Sequence, residues 1–426
     1  MKNTLHTSIM GLLTLFSAYL YILADTPSQQ TIIIKEEPLI NTKLEQNSTL
    51  SYLNYLRVNA GLIPLRLNNN LKKAAKNHAN YLIDNSIIGH YEDKNRTGYT
   101  GTYGSQRSIH SGYKTSMVIE NISNNNFTYK ESIDGLMAAI YHRFGFLDFH
   151  IDEIGIGVQQ NKRNRAQTAF VYDMGSHNLE AVCQEKNSIK FGEYAKGICA
   201  NKRIKIRASL LNKVLKSNRY RNSKIVTYPF NKQIDVPPAF YDELPDPLPD
   251  YSVSGFPISM SFNESYFKNV EMVSFKLFSD KKEIKDVIIY DYKTDPNKRL
   301  KKSEFALFPL KRLAWNSKYR VEALYHTDGK LEKKIWSFRT REFKTPIYKV
   351  TNSSNSFNIS KGKSAIFYFP PISKIDTLGS LKYPSSLDIS FIDKNTIKLT
   401  ANNTKYNKLI LQIGVHKLNL NIKDGI

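Results

Sequence analysis

Cysteine is nearly absent: Cys183 and Cys199 are the only two in 426 residues. That excludes a disulfide-dense scaffold and a Cys-rich zinc module. In an exported chain it leaves one economical arrangement, a single bridge between residues 16 apart that would stabilise by about 3 kcal/mol. Acidic residues are also scarce, 38 against 61 Lys and Arg, for a net charge of +23. From Tyr194 to Ile234 there is no acid, while eleven cations occur, Lys202, Arg203, Lys205 and Arg207 among them. Such a run favours anionic surfaces such as membrane phosphates or acidic glycans. A chain biased throughout to Lys, Asn and Ile produces the same run with every cation merely solvated. No nucleic-acid-binding motif accompanies the charge, so no specific nucleic-acid ligand is expected. No apolar run after the first 24 residues approaches 18, so no transmembrane span is expected in the mature chain. No Ser or Cys stands in a nucleophile elbow, and Ser176 has no motif around it.

Residues 1–24 carry Lys2 and then an apolar run from Ile9 to Ala24, the length of a secretory h-region. A signal peptide ending at Ala24 is expected, with an uncleaved anchor as the alternative, and with it a secreted, periplasmic or cell-surface location. Residues 25–45 are polar and read as a linker. From Ser51 to Ser86, apolar positions recur at three and four, interrupted by Gly61 and Pro64, which predicts two helices. Residues 91–118, rich in Gly, Ser, Thr and Tyr, read as a long loop. Glu131 to Tyr141 reads as one helix, and strands follow near 154 and 169. Helices before and between strands give an α-β-α layered domain over 46–178. A basic, Cys-containing segment spans 179–234, and 235–251 holds five prolines in seventeen positions, a linker kept extended. Its acids Asp242, Glu243, Asp246 and Asp250 are placed to fold back on the basic segment. Beyond it, alternating apolar residues predict strands at 256–262, 270–278, 287–292 and 305–310, and a hairpin across Asp328-Gly329. Five shorter strands are expected in 346–426. The fold class is therefore multidomain α+β: an α-β-α sandwich, a β-sandwich over 252–345, and a further small β-rich domain.

Three short patterns carry the chemistry: Gly89-His90-Tyr91, Glu120-Asn121-Ile122 and Tyr141-His142-Arg143. With Asn54, Arg57, Gly61, Leu62, Pro64 and Leu65, then Leu71, Ala74, Ala75 and His78, Gly112-Tyr113, Ile154 to Val158 and Phe170 to Gly175, they resemble the CAP superfamily in order along the chain. The resemblance covers 46–178 and, with so few cysteines, is closer to the bacterial branch. It implies a cleft lined by His90, Glu120 and His142. Two imidazoles and a carboxylate are the donor types of a small divalent cation site, zinc above all. A second acid that the family often has falls where this chain has Ala138 and Ala139. Glu131 and Asp134, eleven and eight positions before His142, are the candidates to complete the cleft; on a continuous helix they lie about 20° and about 80° from it.

Leu313, Asn316, Tyr319, Val321, Trp336, Phe338 and Thr340 resemble the closing half of bacterial Ig-like domains. Three functions follow from the two resemblances. One is a binding protein presenting the cleft to a lipid, a glycan or a surface protein; members of the first family are mostly non-enzymatic or of unproven activity, and several bind sterols or fatty acids. The second is a metal-assisted hydrolase with Glu120 as base and His90 and His142 as ligands. The third is an adhesin or wall-binding protein acting through its C-terminal β domains. The loop from Tyr91 to Met117, dense in Gly and Tyr, suits a ligand-contacting surface and favours the first.

Overall fold

The computed structural model describes residues 37–184, 192–352, 354–379, 383, 387–402, 407–413 and 416–424. The expected signal peptide and the first part of the linker lie outside the described residues. Two asparagines open helices by accepting amides that a first turn leaves without partners. Asn41 accepts from Leu44 and starts α1, Thr42–Asn59. Asn68 accepts from Asn70 and Leu71 and starts α2, Asn69–Asp84. Between them lies β1, Arg66–Leu67. The stretch that reads as loop throughout contains α3, Gly104–His110, whose Arg107 is buried. β2 is Ile119–Asn124, α4 Tyr129–Ala138, α5 Ile140–Phe146, β3 Glu153–Gln160 and β4 Thr168–Gly175.

The sheet order is β1-β3-β4-β2, with β1 parallel to β3 and the other pairs antiparallel. β4 is buried on both faces, as the period of two in a central strand requires. Its Phe170, Tyr172 and Met174 pack with Leu53, Leu56, Ile133 and Met137 of α1 and α4. Ala169 and Val171 pack with Ala75, Ala79 and Leu82 of α2. This is the expected α-β-α layering. Gly155 and Gly157 explain how α2 lies so close: a Cβ on either would stand 2.0 to 2.2 Å from the Leu71 carbonyl carbon or the Ala75 carbonyl oxygen. Arg57, fully buried, spans the other layer, donating to the carbonyls of Ile63, Phe146 and Ile151.

The helix expected over Glu131 to Tyr141 is two helices. Ala139 has ψ 113° and separates α4 from α5. The alanine side chain has no oxygen to cap α5, and residues far along the chain do so instead, as described below. A change of axis at residue 139 voids the angular projection that related Glu131 and Asp134 to His142.

After the sheet come α6, His177–Gln184, and α7, Ala208–Arg221. The density of charge hides α7 in the sequence, yet Leu210, Leu211, Val214 and Leu215 recur at helical spacing. Cys183 and Cys199 form the expected disulfide, and with Leu179, Val182, Ile206 and Val214 they make a small core of their own. Lys202, Arg203 and Arg207 are exposed and Lys205 is partly so.

Two sheets follow. One orders Val287–Tyr290, Glu304–Pro309, Ile258–Phe262 and Ile225–Tyr228; the other orders Lys282–Ile284, Val270–Ser279, Lys318–Thr327, Lys330–Thr340 and Gln233–Val236. The hairpin turns at Asp328 and Gly329, φ 48° and 85°, the pair of positive angles that a two-residue turn demands. Two of these strands precede residue 237, so the β region starts near 225. The Pro-rich stretch differs from the expected extended tether: Val236, Phe240 and Leu248 are buried. Two of its acids turn elsewhere than to the basic segment. Glu243 turns to α5, and Asp250 lies 4.0 Å from Lys374. One continuous core runs from Leu53 to Phe338, and Glu36–Phe343 with Pro371–Thr377 is a single compact unit.

Lys344–Pro370 with Leu378–Ile426 belongs to a second compact unit. It holds a four-stranded and a three-stranded sheet around Phe367, Phe369, Leu399 and Leu418. Among the described residues no helix is long and apolar enough to cross a membrane.

Candidate functional site

β2 and β4 set the floor of the cleft. Their antiparallel register places Glu120 opposite Asp173, on the face shared by Ile122 and Val171. His90 reaches the site from the loop after α2, and His142 from the first turn of α5. His90 Nδ1 lies 2.9 Å from Glu120 Oε1, and the rings of His90 and His142 stack with centroids 6.1 Å apart and planes 16° from parallel. Asn121 donates to the carbonyl of His142 at 2.8 Å, so the Glu-Asn pair fixes one histidine by side chain and the other by backbone. The three residues expected to meet do meet.

A buried network that sequence reasoning missed lies beneath. Arg107 donates to Glu120 Oε2 at 2.5 Å and has its Nε 3.7 Å from Glu92 Oε1. Glu92 accepts the amides of Thr100 and Gly101 and pairs with His78 Nδ1 at 2.9 Å. His78 Nε2 bonds the carbonyl of Gly89 at 3.1 Å. The chain His78, Glu92, Arg107, Glu120, His90 thus ties the loop bearing His90 to the sheet. Burial alone would raise the Glu120 carboxyl, but the His90 hydrogen bond and the Arg107 charge hold it down to about 2. Asp173 goes the other way: burial and the adjacent Glu120 charge push it well above the usual carboxylate range. The two acids that share the floor are thus shifted in opposite directions.

His142 also has a carboxylate, from 101 residues downstream. Glu243 Oε1 lies 2.7 Å from His142 Nδ1 and accepts the amides of Tyr141 and His142 at 2.9 and 3.0 Å. It caps α5 in place of the Ala139 side chain. The Glu243 side chain is fully buried, among a cluster in which Ile140 and Phe144 pack on Phe240, Leu248, Leu300 and Phe308.

The two acids expected to complete the cleft are elsewhere. Glu131 accepts the amides of Phe127 and Thr128 and forms the capping box of α4. Asp134 accepts from Tyr52, Lys130 and Arg341. The break at Ala139 is the reason. A fit test for zinc finds two of the expected donors and not the third. Each histidine has its Nδ1 on a carboxylate, which orients Nε2 as in a metal-binding histidine; both Glu120 oxygens are engaged, and among the described residues no three His, Cys, Asp or Glu side chains are arranged to hold a metal ion. What remains is two oriented imidazoles, each with Nε2 facing no described hydrogen-bond partner; Tyr91, next to His90 in sequence, is exposed and packs edge-on against exposed Tyr103.

Residues 50–174 match the family model described as CAP, the cysteine-rich secretory protein family. Among solved structures, the chain is similar to an outer surface protein from Borrelia burgdorferi at 22% identity, over 32% of this chain and 96% of that one, with a TM-score of 0.29. An extracellular protein containing an SCP domain from Bacillus anthracis shares 16% identity over 33% of this chain and 45% of that one, TM-score 0.28. A cysteine-rich secretory protein from Staphylococcus aureus shares 19% over 33% and 42%, TM-score 0.25. The chain thus spans under half the length of the last two. No curated protein matches it.

Proposed function

From a chain whose residues 50–174 are a CAP domain of bacterial type, we propose an exported binding protein that presents its histidine cleft to a surface glycan. The observation that carries this is the commitment of Glu120. A general base works best with a pKa near the working pH, whereas Glu120 is held to about 2 with both oxygens bonded. The metal-hydrolase reading therefore loses its base. Two fixed imidazole edges, with exposed Tyr91 following His90 in the chain, suit a ligand of hydroxyls and apolar ring faces. The names of the similar proteins, outer-surface and extracellular, favour the location. Residues 225–340 read as an Ig-like sandwich that carries the domain: the Tyr319 hydroxyl accepts the Ala314 amide at 2.9 Å, as in a tyrosine corner, and Trp336 is buried against Phe275.

The test is a glycan array probed with the full chain. Binding to a defined class is expected, falling at least tenfold in a His90→Ala, His142→Ala variant. No binding by the folded parent would overturn the glycan reading. Saturable zinc binding by calorimetry, lost in that variant, would restore the metal site.

The exposed cations give a separate expectation. Reversal of Lys202, Arg203, Lys205 and Arg207 to Glu should abolish sedimentation with anionic vesicles, each charge at the surface contributing roughly 1 kcal/mol. Binding by the parent should fade steeply with salt, since screening acts within about 8 Å at physiological ionic strength. Binding that is insensitive to salt, or unchanged in the variant, would reduce the run to a solvated surface.

A further inference from the structure

We propose that a second site, on the two-sheet β region, takes an acidic sugar unit of a polysaccharide. The loop 263–269 crosses there from the strand Ile258–Phe262 of one sheet to Val270–Ser279 of the other. A pocket of about 460 Å³ opens beside it, closed from the far side by Tyr292 and by Lys302 and Ser303 at the entry to the strand Glu304–Pro309. That volume lies within the ~300–1,000 Å³ range of small-molecule sites. None of His90, Glu120 and His142 lines it, so the proposal is independent of the cleft.

The charges in the pocket favour an anion. Its one acid, Glu264, has both oxygens engaged: Oε2 takes Arg219 at 2.9 Å and Oε1 the Ser303 hydroxyl at 3.1 Å. Lys268 and Lys302, by contrast, are exposed and make no ion pair or side-chain hydrogen bond among the described residues. Lys302 Nζ stands 5.8 Å from the centre of the half-buried Tyr292 ring, and Phe267 and Val270 add apolar surface. A carboxylate or sulfate on a sugar meets the ammonium groups while its C–H face meets the rings. The exposed Asn269 side chain, without a partner among the described residues, is left for a hydroxyl. The loop is already fixed: the Asn263 side chain donates to the carbonyls of Arg219 and Ser223, and Asp328 accepts the amides of Lys268 and Asn269. Little ordering is therefore left for a ligand to impose.

An adjoining cavity of about 760 Å³ shares Asn269, Val270 and Tyr292 with the first. Its polarity is reversed, since Glu271, Asp291 and Asp328 line it against Lys293 and His326. Asp291 and Asp328 accept backbone amides, but Glu271 is exposed and makes no ion pair among the described residues, so a second anion there is repelled. A cationic space beside an acidic one fits a chain that alternates acidic with neutral sugars.

The test titrates the full chain by calorimetry with a hexasaccharide of alternating glucuronate and N-acetylglucosamine, and with the same chain after reduction of its carboxyls. Saturable one-site binding of the acidic chain is expected, about tenfold or more tighter than that of the reduced one. Lys268→Gln with Lys302→Gln should remove that difference and leave the reduced chain unchanged, whereas Tyr292→Ala should weaken both. Neither His90→Ala with His142→Ala nor reversal of Lys202, Arg203, Lys205 and Arg207 should alter the binding, which separates this site from the cleft and from the basic run. No saturable binding by the folded parent, equal affinity for the reduced chain, or indifference to the lysine variant overturns the proposal. A loss in the histidine variant places the sugar in the cleft and overturns it too, and tighter binding of a hexagalacturonate overturns the alternation. Binding of phosphatidylglycerol vesicles in place of any oligosaccharide, lost in the lysine variant, replaces the sugar with a phosphate headgroup.

Discussion

Replacing Arg107 with methionine is expected to destabilise the 36–343 unit by about 3–5 kcal/mol, the cost of removing one partner from a buried ionic network. The guanidinium is fully buried and stands between two carboxylates, Glu92 and Glu120. Methionine keeps much of the volume, so the loss is electrostatic rather than a cavity. The penalty should be largest at neutral pH and shrink toward acid, where both orphaned carboxyls take up protons. In the parent the sign is opposite. Glu120 sits below its ordinary value of 4.5, so its contribution is present above that pH and fades as pH falls toward about 2. Urea unfolding of both proteins from neutral pH down to about pH 2 measures this. A variant as stable as the parent at pH 7, or a penalty that does not change with pH, would show that the network is not held by charge.

The second large effect is expected from Glu243→Ala. One carboxylate oxygen serves two helix amides and an imidazole, so its removal combines a lost N-cap, about 0.5–2 kcal/mol, with a lost charge-assisted hydrogen bond, about 1.5–3 kcal/mol. A total of about 2–5 kcal/mol is expected on those two magnitudes, with faster hydrogen exchange at the amides of Tyr141 and His142. Glu243→Gln keeps an acceptor without the charge and should restore most of the amide protection. Unaltered exchange at both amides in the alanine variant would sink the capping role. Because α5 carries His142, glycan affinity should fall with it, through geometry rather than direct contact.

Legibility follows range along the chain. Periodicity and caps are local, so α1, α2, the layered sheet, the Asp328-Gly329 hairpin and most later strands are readable to within a few residues. His90, Glu120 and His142 stand out by their local patterns, and they meet. The break at Ala139 is not readable, because nothing near it opposes a helix; what permits it is a cap 101 residues away. Arg107 sits in a segment whose Gly, Ser and Tyr content spells loop, and an arginine in such a run looks solvated until the fold encloses it. Glu243 lies in plain view among four acids, but its surroundings mark a linker. The one clue in the sequence is the missing acid near His142, which implies a carboxylate from elsewhere without saying where.

The pairing of His142 with Glu243 also has a consequence in time. A ribosome delivers the chain from its N-terminus, and the layered domain has all its helices and strands once residue 175 is out. At that stage α5 has no cap and His142 no carboxylate; Asp134 still waits for Arg341, 207 residues on. The histidine pair therefore reaches its final geometry only when chain well beyond its own domain has arrived and docked. A product interrupted before residue 243 would lack the carboxylate that His142 pairs with, so possession of the finished site certifies that the chain was made that far.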